Sequence, residues 1–193
     1  TELFLEFYPK ISPPKTRFEK IRDSNIPYDE RSKYQVINDF KKIGEEFYPT
    51  ISPSTFIHSD KFIINSRHVT PLGGLMNEKH VFGNENGKWV TFKSDEHGFN
   101  NPAGSWEENI DVLIIGDSFS MGAYVDSEDN IASLLRKSGL KVVSLGYSSN
   151  GPLIEYSSLK EYSSFLKPKK VLWFYFEGND LADLRNEIKS KKL

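Results

Sequence analysis

Ile110-Asp111-Val112-Leu113-Ile114-Ile115-Gly116-Asp117-Ser118-Phe119-Ser120-Met121-Gly122 decides how this chain is read. An apolar, β-branched run that ends abruptly in Gly-Asp-Ser has the pattern of a buried strand in a parallel sheet. Such a strand delivers polar side chains to the sheet's carboxyl edge, where α/β folds place their ligands. Ser118 is then the candidate chemical centre.

Downstream of it, strand and helix patterns alternate. The strand from Asp111 to Ile115 leads across the Ser118 loop to a helix expected near 129–138. Its inward residues are Ile131, Leu134 and Leu135, its cap is Ser127 or Asp126, and Gly139 is its stop. A second strand, Lys141-Val142-Val143-Ser144-Leu145, precedes a helix beginning at Pro152, a residue suited to the first helical position. That helix carries Leu159, Tyr162, Phe165 and Leu166 on one face until Pro168. A third strand, Val171-Leu172-Trp173-Phe174-Tyr175-Phe176, is apolar throughout, which predicts burial on both faces. The final helix is expected to be capped by Asp180, with Leu181, Leu184 and Ile188 at helical spacing. Three βα units joined by short loops imply right-handed crossovers and a parallel, doubly wound sheet in a three-layer α/β fold, a flavodoxin-like beginning.

Upstream, residues 1–30 are rich in Pro, Lys and aromatic residues and show no sustained period, which reads as an extended arm. Glu6-Phe7-Tyr8-Pro9-Lys10-Ile11-Ser12-Pro13 is echoed by Glu46-Phe47-Tyr48-Pro49-Thr50-Ile51-Ser52-Pro53, but the flanks do not match, so this is no repeat architecture. Between the echoes, Arg31 to Ile43 is a predicted helix with Val36, Ile37, Phe40 and Ile43 on one face and Gly44 as its exit. Residues 55–109 hold short strand-like pieces, among them Phe62-Ile63-Ile64 and Lys88-Trp89-Val90-Thr91-Phe92. Asn86-Gly87 suggests a hairpin between Val81-Phe82 and Trp89-Val90. The chain thus divides into an arm plus helix, 1–54, and an α/β domain, 55–193, with its core from 110.

The balance of 25 basic and 27 acidic residues, a net charge of −2, leaves no basic footprint for nucleic acid. Without cysteine there is no disulfide, thiolate metal site or cysteine nucleophile. His58, His68, His80 and His97 lack ligand spacing, so no metal is expected. No phosphate-cradling Gly-rich loop stands at a strand end, and no cofactor is expected. No apolar run approaches the roughly 18–20 residues that span a bilayer. The start at Thr1 leaves room for an upstream membrane anchor or signal.

All three strand ends carry polar residues: Gly116-Asp117-Ser118, then Gly146-Tyr147-Ser148-Ser149-Asn150-Gly151-Pro152, then Glu177-Gly178-Asn179-Asp180. In a parallel sheet they converge on one edge. The three blocks resemble those of the SGNH (GDSL-type) hydrolases, serine esterases and acyl-transfer enzymes whose nucleophile lies in a Gly-Asp-Ser turn. The likeness runs from Ser94 onward. Ser94-Asp95-Glu96-His97-Gly98-Phe99-Asn100-Asn101-Pro102 looks like the Asp-x-x-Gly-Phe segment that precedes the first block in a membrane-associated or exported branch, which implies an extracytoplasmic or membrane-anchored location.

The resemblance implies Ser118 as nucleophile and Asp117 as support for its turn. The oxyanion hole would comprise the Ser118 N–H, a second-block N–H from Ser149 or Gly151, and the Asn179 side-chain amide. The second block departs from the family's Asn-x-Gly-x-x-Gly-x-Gly, with Ser144 for the Asn and Ser149 for the middle Gly. Family members complete about five parallel strands and carry a late Asp-x-x-His as the base. No histidine follows His97, and Lys189-Ser190-Lys191-Lys192-Leu193 reads as mid-protein, so the sheet and the base are expected to continue past Leu193. Asp95 and His97 as a substitute base pair have the wrong spacing and read better as a turn. The expected function is hydrolysis of small acyl or acetyl esters, including those of glycans. The alternatives are a carbohydrate O-acyltransferase and a catalytically incomplete scaffold domain.

Overall fold

A computed structural model of the chain describes residues 27–59 and 62–190. The first copy of the echo, Glu6 to Pro13, and nearly all of the arm lie outside the described residues. The elements in order are α1 (Lys33–Lys42), β1 (Tyr48–Pro49), a 3-10 turn (Pro53–Phe56), β2 (Ile63–Ile64), β3 (Arg67–His68), β4 (Lys79–Val81) and β5 (Thr91–Lys93). After these come β6 (Val112–Gly116), α2 (Ser118–Met121), α3 (Ile131–Lys137), β7 (Val142–Ser144), α4 (Pro152–Leu166), β8 (Lys170–Phe174) and α5 (Asp180–Glu187).

The centre of the molecule is a parallel sheet of order β7-β6-β8, with Leu113 opposite both Val143 and Val171. Every residue of β6 and β7 is buried. Because side chains alternate along a strand, β6 feeds two cores. Leu113 and Ile115 join Val143, Leu145, Phe99 and Leu166 of α4 on one face, while Val112 and Ile114 join Val142 and Ala132 of α3 on the other. Helices cover both faces, and the molecule is a mixed α/β fold with a parallel sheet.

A smaller sheet, β1-β4-β5, extends the first core through Phe82 and Phe92. The hairpin foreseen around Asn86-Gly87 is present, with Phe82 and Val90 closing it and β4 pairing with β5 from Val81↔Thr91 to Lys79↔Lys93. The second copy of the echo supplies β1, which lies parallel to β4 with Tyr48 opposite His80. Helix α1 begins with a capping box between Ser32 and Gln35 and seats Val36, but Ile43 is exposed rather than inward.

Several expectations need correction. The cap of α3 is Asn130, whose side chain accepts the Ser133 N–H, not Ser127 or Asp126, and Leu134 points outward. On α4, Phe165 is exposed, and the buried face runs through Ile154, Glu155, Ser158 and Leu166. The residue preceding α5 is Asn179, while Asp180 is its first residue and accepts the Phe176 N–H; Leu181 and Ile188 face solvent. The largest departure is β8. Val171, Leu172 and Trp173 are 42%, 38% and 47% exposed, because among the described residues β8 is paired to β6 on one side only.

Candidate active site

At the carboxyl end of β6 the chain turns so tightly that only glycine fits. Gly116 has φ of +144°, and a Cβ there would meet the Ser120 hydroxyl and the Phe174 carbonyl. Asp117 then caps α2, its Oδ1 accepting the Phe119 N–H at 3.1 Å. Ser118, as the first helical residue, has a backbone N–H without an intrahelical partner. Its side chain is part-buried, and its Oγ lies 3.4 Å from Asp117 Oδ2.

Asn179 arrives from the carboxyl end of β8. Its Nδ2 lies 3.4 Å from the same Asp117 Oδ2 and 2.8 Å from Asp183 Oδ2. Ser118 Oγ and Asn179 Nδ2 are therefore separated by no more than twice 3.4 Å, although they are distant in sequence. Asp183 was not singled out in the sequence. The signal available was its position one helical turn after Asn179, where side chains share a face.

The second block runs alongside. Tyr147 N–H donates to the Gly116 carbonyl at 3.2 Å, and a Cβ at Gly146 would collide with the Ser120–Met121 backbone. Ser144 donates its hydroxyl to the Ser120 carbonyl at 2.7 Å and so ties β7 to α2. The backbone amides of Ser149 and Gly151 differ in their hydrogen bonding. Gly151 N–H is already given to Glu187 Oε1 at 2.8 Å, and Leu153 N–H to Glu187 Oε2 at 2.9 Å. Ser149, at φ +64°, has an N–H with no acceptor among the described residues. It lines a polar cleft of about 250 Å³ with Asp183, Asn186 and Glu187 on one side and Ser52, Ser54 and Thr55 on the other.

Carboxyl groups gather beneath this edge, where Asp117, Asp180 and Glu187 all act on Glu155. Glu155 is buried with Oε2 accepting the Trp173 indole N–H at 2.6 Å, and burial pushes its carboxyl up to about 8. Burial also raises Asp180 and Glu187.

Asp95 and His97 do not form a base pair. The Asp95 carboxylate accepts the His97 and Phe99 backbone N–H groups, the Asn101 amide and the Trp106 indole. The His97 ring packs 3.8 Å from that of Trp106 and 5.5 Å from that of Tyr162. His58 lies by Asn186, and His80 is buried against Phe92. Among the described residues there is no cluster of three or more His, Cys, Asp or Glu able to hold a metal ion, and no helix long and apolar enough to cross a membrane.

No protein-family model matches this chain, and neither a curated protein nor a solved structure does so.

Proposed function

We propose that this chain carries the nucleophile and oxyanion donors of an SGNH-type serine hydrolase acting on small acyl esters of polar alcohols. The observation that supports it best is the meeting of Ser118 and Asn179 on one oxygen of Asp117. Three dispersed polar blocks reach one sheet edge, as acyl transfer requires of a nucleophile and its oxyanion donors. In this reading Ser118 Oγ attacks the acyl carbon and loses its proton to a base. The carbonyl oxygen becomes an oxyanion received by the Ser118 N–H, the Ser149 N–H and Asn179 Nδ2. Collapse expels the alcohol, which takes up a proton, and leaves an acyl-serine. Water then completes hydrolysis, whereas a second alcohol would make the same site a transferase.

Two surfaces favour this substrate class. The rings of Phe119 and Phe176, both exposed, stand 5.3 Å apart beside Ser118 and suit an acyl group. The hydroxyl-lined cleft at Ser149 suits a polar alcohol such as a sugar. An exported or membrane-anchored location and a glycan ester substrate belong to the same proposal.

One observation favours a second reading, a non-catalytic scaffold: Ser118 Oγ touches a carboxylate and no described imidazole. A fluorophosphonate probe separates the two. Labelling that disappears in Ser118→Ala and quickens with added imidazole, which stands in for the base, is expected of the hydrolase. Absence of labelling with and without imidazole, in a chain extended past Leu193, would favour the scaffold.

A further inference from the structure

Glu46–Pro53 holds a seat on β4. Tyr48 and Pro49 lie parallel to His80 and Val81, and the Thr50 N–H donates to the Val81 carbonyl at 3.2 Å. That register turns the Pro49 nitrogen away from β4, so the proline costs the pairing no donor. The Phe47 ring stacks on Phe40 with centroids 3.9 Å apart, and the Lys79 ammonium stands 5.6 Å from its centre. Tyr48 gives its hydroxyl to Glu46 at 2.9 Å. Even so, the seat is shallow. Of these eight residues Pro53 alone is buried, and Tyr48, Pro49 and Ile51 back onto a cavity of about 430 Å³ instead of packed atoms. A segment held by two paired residues over a void opens at small cost.

Glu6–Pro13 repeats this segment at every position except Lys10, which stands where the seat has Thr50. Each contact just described therefore has its ring, carboxylate, hydroxyl or proline in the first copy. Lys10 keeps the backbone N–H and lacks only the bond from Thr50 Oγ1 to the Val81 carbonyl, 3.3 Å long. Beyond the eight positions, Glu45 pairs with Lys79 and Phe56 meets Phe62 edge to face, whereas the first copy has Leu5 and Thr16 at the matching places. These differences make Glu46–Pro53 the main occupant. Reach is no obstacle. Asp29 is pinned, its N–H donating to the Gly87 carbonyl at 2.8 Å, and residues 14–28 can span about 50 Å, against a width of about 40 Å for a domain of this length.

We propose that Glu6–Pro13 is a second occupant of the seat on β4, exchanging with Glu46–Pro53 within one chain, and that its entry withdraws Ser54 and Thr55 from the polar cleft at Ser149. Ser54 and Thr55 line that cleft and follow the resident segment directly in sequence. The first copy continues instead with Pro14 and Lys15, neither of which carries a hydroxyl. The exchange thus sets how the cleft is lined, and it requires no chemistry at Ser118.

The chain has no cysteine, so Lys10→Cys places a single nitroxide on the one position the copies do not share. In the full chain that label is expected to broaden the Val81 and Phe82 amide signals. Thr50→Lys, which makes the two copies identical over the eight positions, should increase the broadening by about fivefold, as loss of one neutral hydrogen bond from the resident requires. The Ser149 and Asn186 amides should shift in step. Phe7→Ala with Tyr8→Ala should abolish both effects while leaving the melting temperature unchanged. Four results would overturn the proposal: no broadening of Val81 and Phe82 in either Thr50 form, broadening that survives Phe7→Ala with Tyr8→Ala, broadening without movement of Ser149 and Asn186, or broadening seen only between chains when a nitroxide-bearing chain is mixed with an isotope-labelled one.

Discussion

Asn179 divides its amide hydrogens between a close carboxylate, Asp183, and a looser one, Asp117. The close contact orients the side chain, and in the proposed chemistry the looser one is the contact that a developing oxyanion replaces. If the proposed chemistry holds, Asn179→Ala should slow fluorophosphonate labelling of Ser118 by about 100-fold, as loss of one oxyanion donor does elsewhere. Asp183→Ala should slow it by about tenfold, because the amide remains but is no longer aimed. Glu155 makes a separate prediction about stability. Its carboxyl is held up to about 8 by burial, against 4.5 in the unfolded chain. Between those values the folded chain keeps a proton that the unfolded chain has released, so stability is intact below about pH 4.5 and declines as pH rises toward 8. Glu155→Gln keeps an acceptor for Trp173 and removes the titration. Its urea midpoint should match the parent at pH 4.5 and exceed it at pH 8.5, by the equivalent of about 1–4 kcal/mol.

Elements differ in how far their residues announced them. The passage from β6 into a sharp turn at Gly116 was legible, because a β-branched run and a glycine at its end each have one inexpensive conformation, but the stretch beyond, read as a loop, forms the short helix α2 capped by Asp117. The start of α3 was not: Asp126, Ser127, Asp129 and Asn130 are all competent caps, and only packing decides that Asn130 is the one. Asn130→Ala should therefore lower stability by about 1 kcal/mol, read as a fall in melting temperature, while Ser127→Ala leaves the start of the helix intact. Strand β8 was misread for a different reason. An apolar run reports how much a segment would gain from burial, whereas its exposure depends on what lies beside it, and among the described residues β8 has β6 on one side alone. Helix α5 was misjudged likewise. Its Leu181 and Ile188 follow helical spacing, yet the face turned inward carries Asp180 and Glu187. At the site, the strand-end blocks were visible as motifs. The engagement of Gly151 by Glu187 could not be seen, since it joins residues 36 positions apart through a backbone amide that leaves no trace in composition.

For the molecule as a whole, Glu187 has a mechanical consequence. Helix α4 opens on Gly151, which has no side chain with which to close its own first turn, and the last helix reaches back to do so through both oxygens of one carboxylate. The two helices are thus clasped at one point and should open as a single unit in hydrogen–deuterium exchange. Glu187→Ala should speed exchange of the Gly151 and Leu153 amides and of the α5 amides together, by about tenfold or more, while β6 keeps its protection. Unchanged rates at the start of α4 would show that the clasp is slack. A tight one means that motion in the final helix is transmitted to the loop bearing Ser149, placing the pliability of the polar rim under the control of a residue far along the polypeptide.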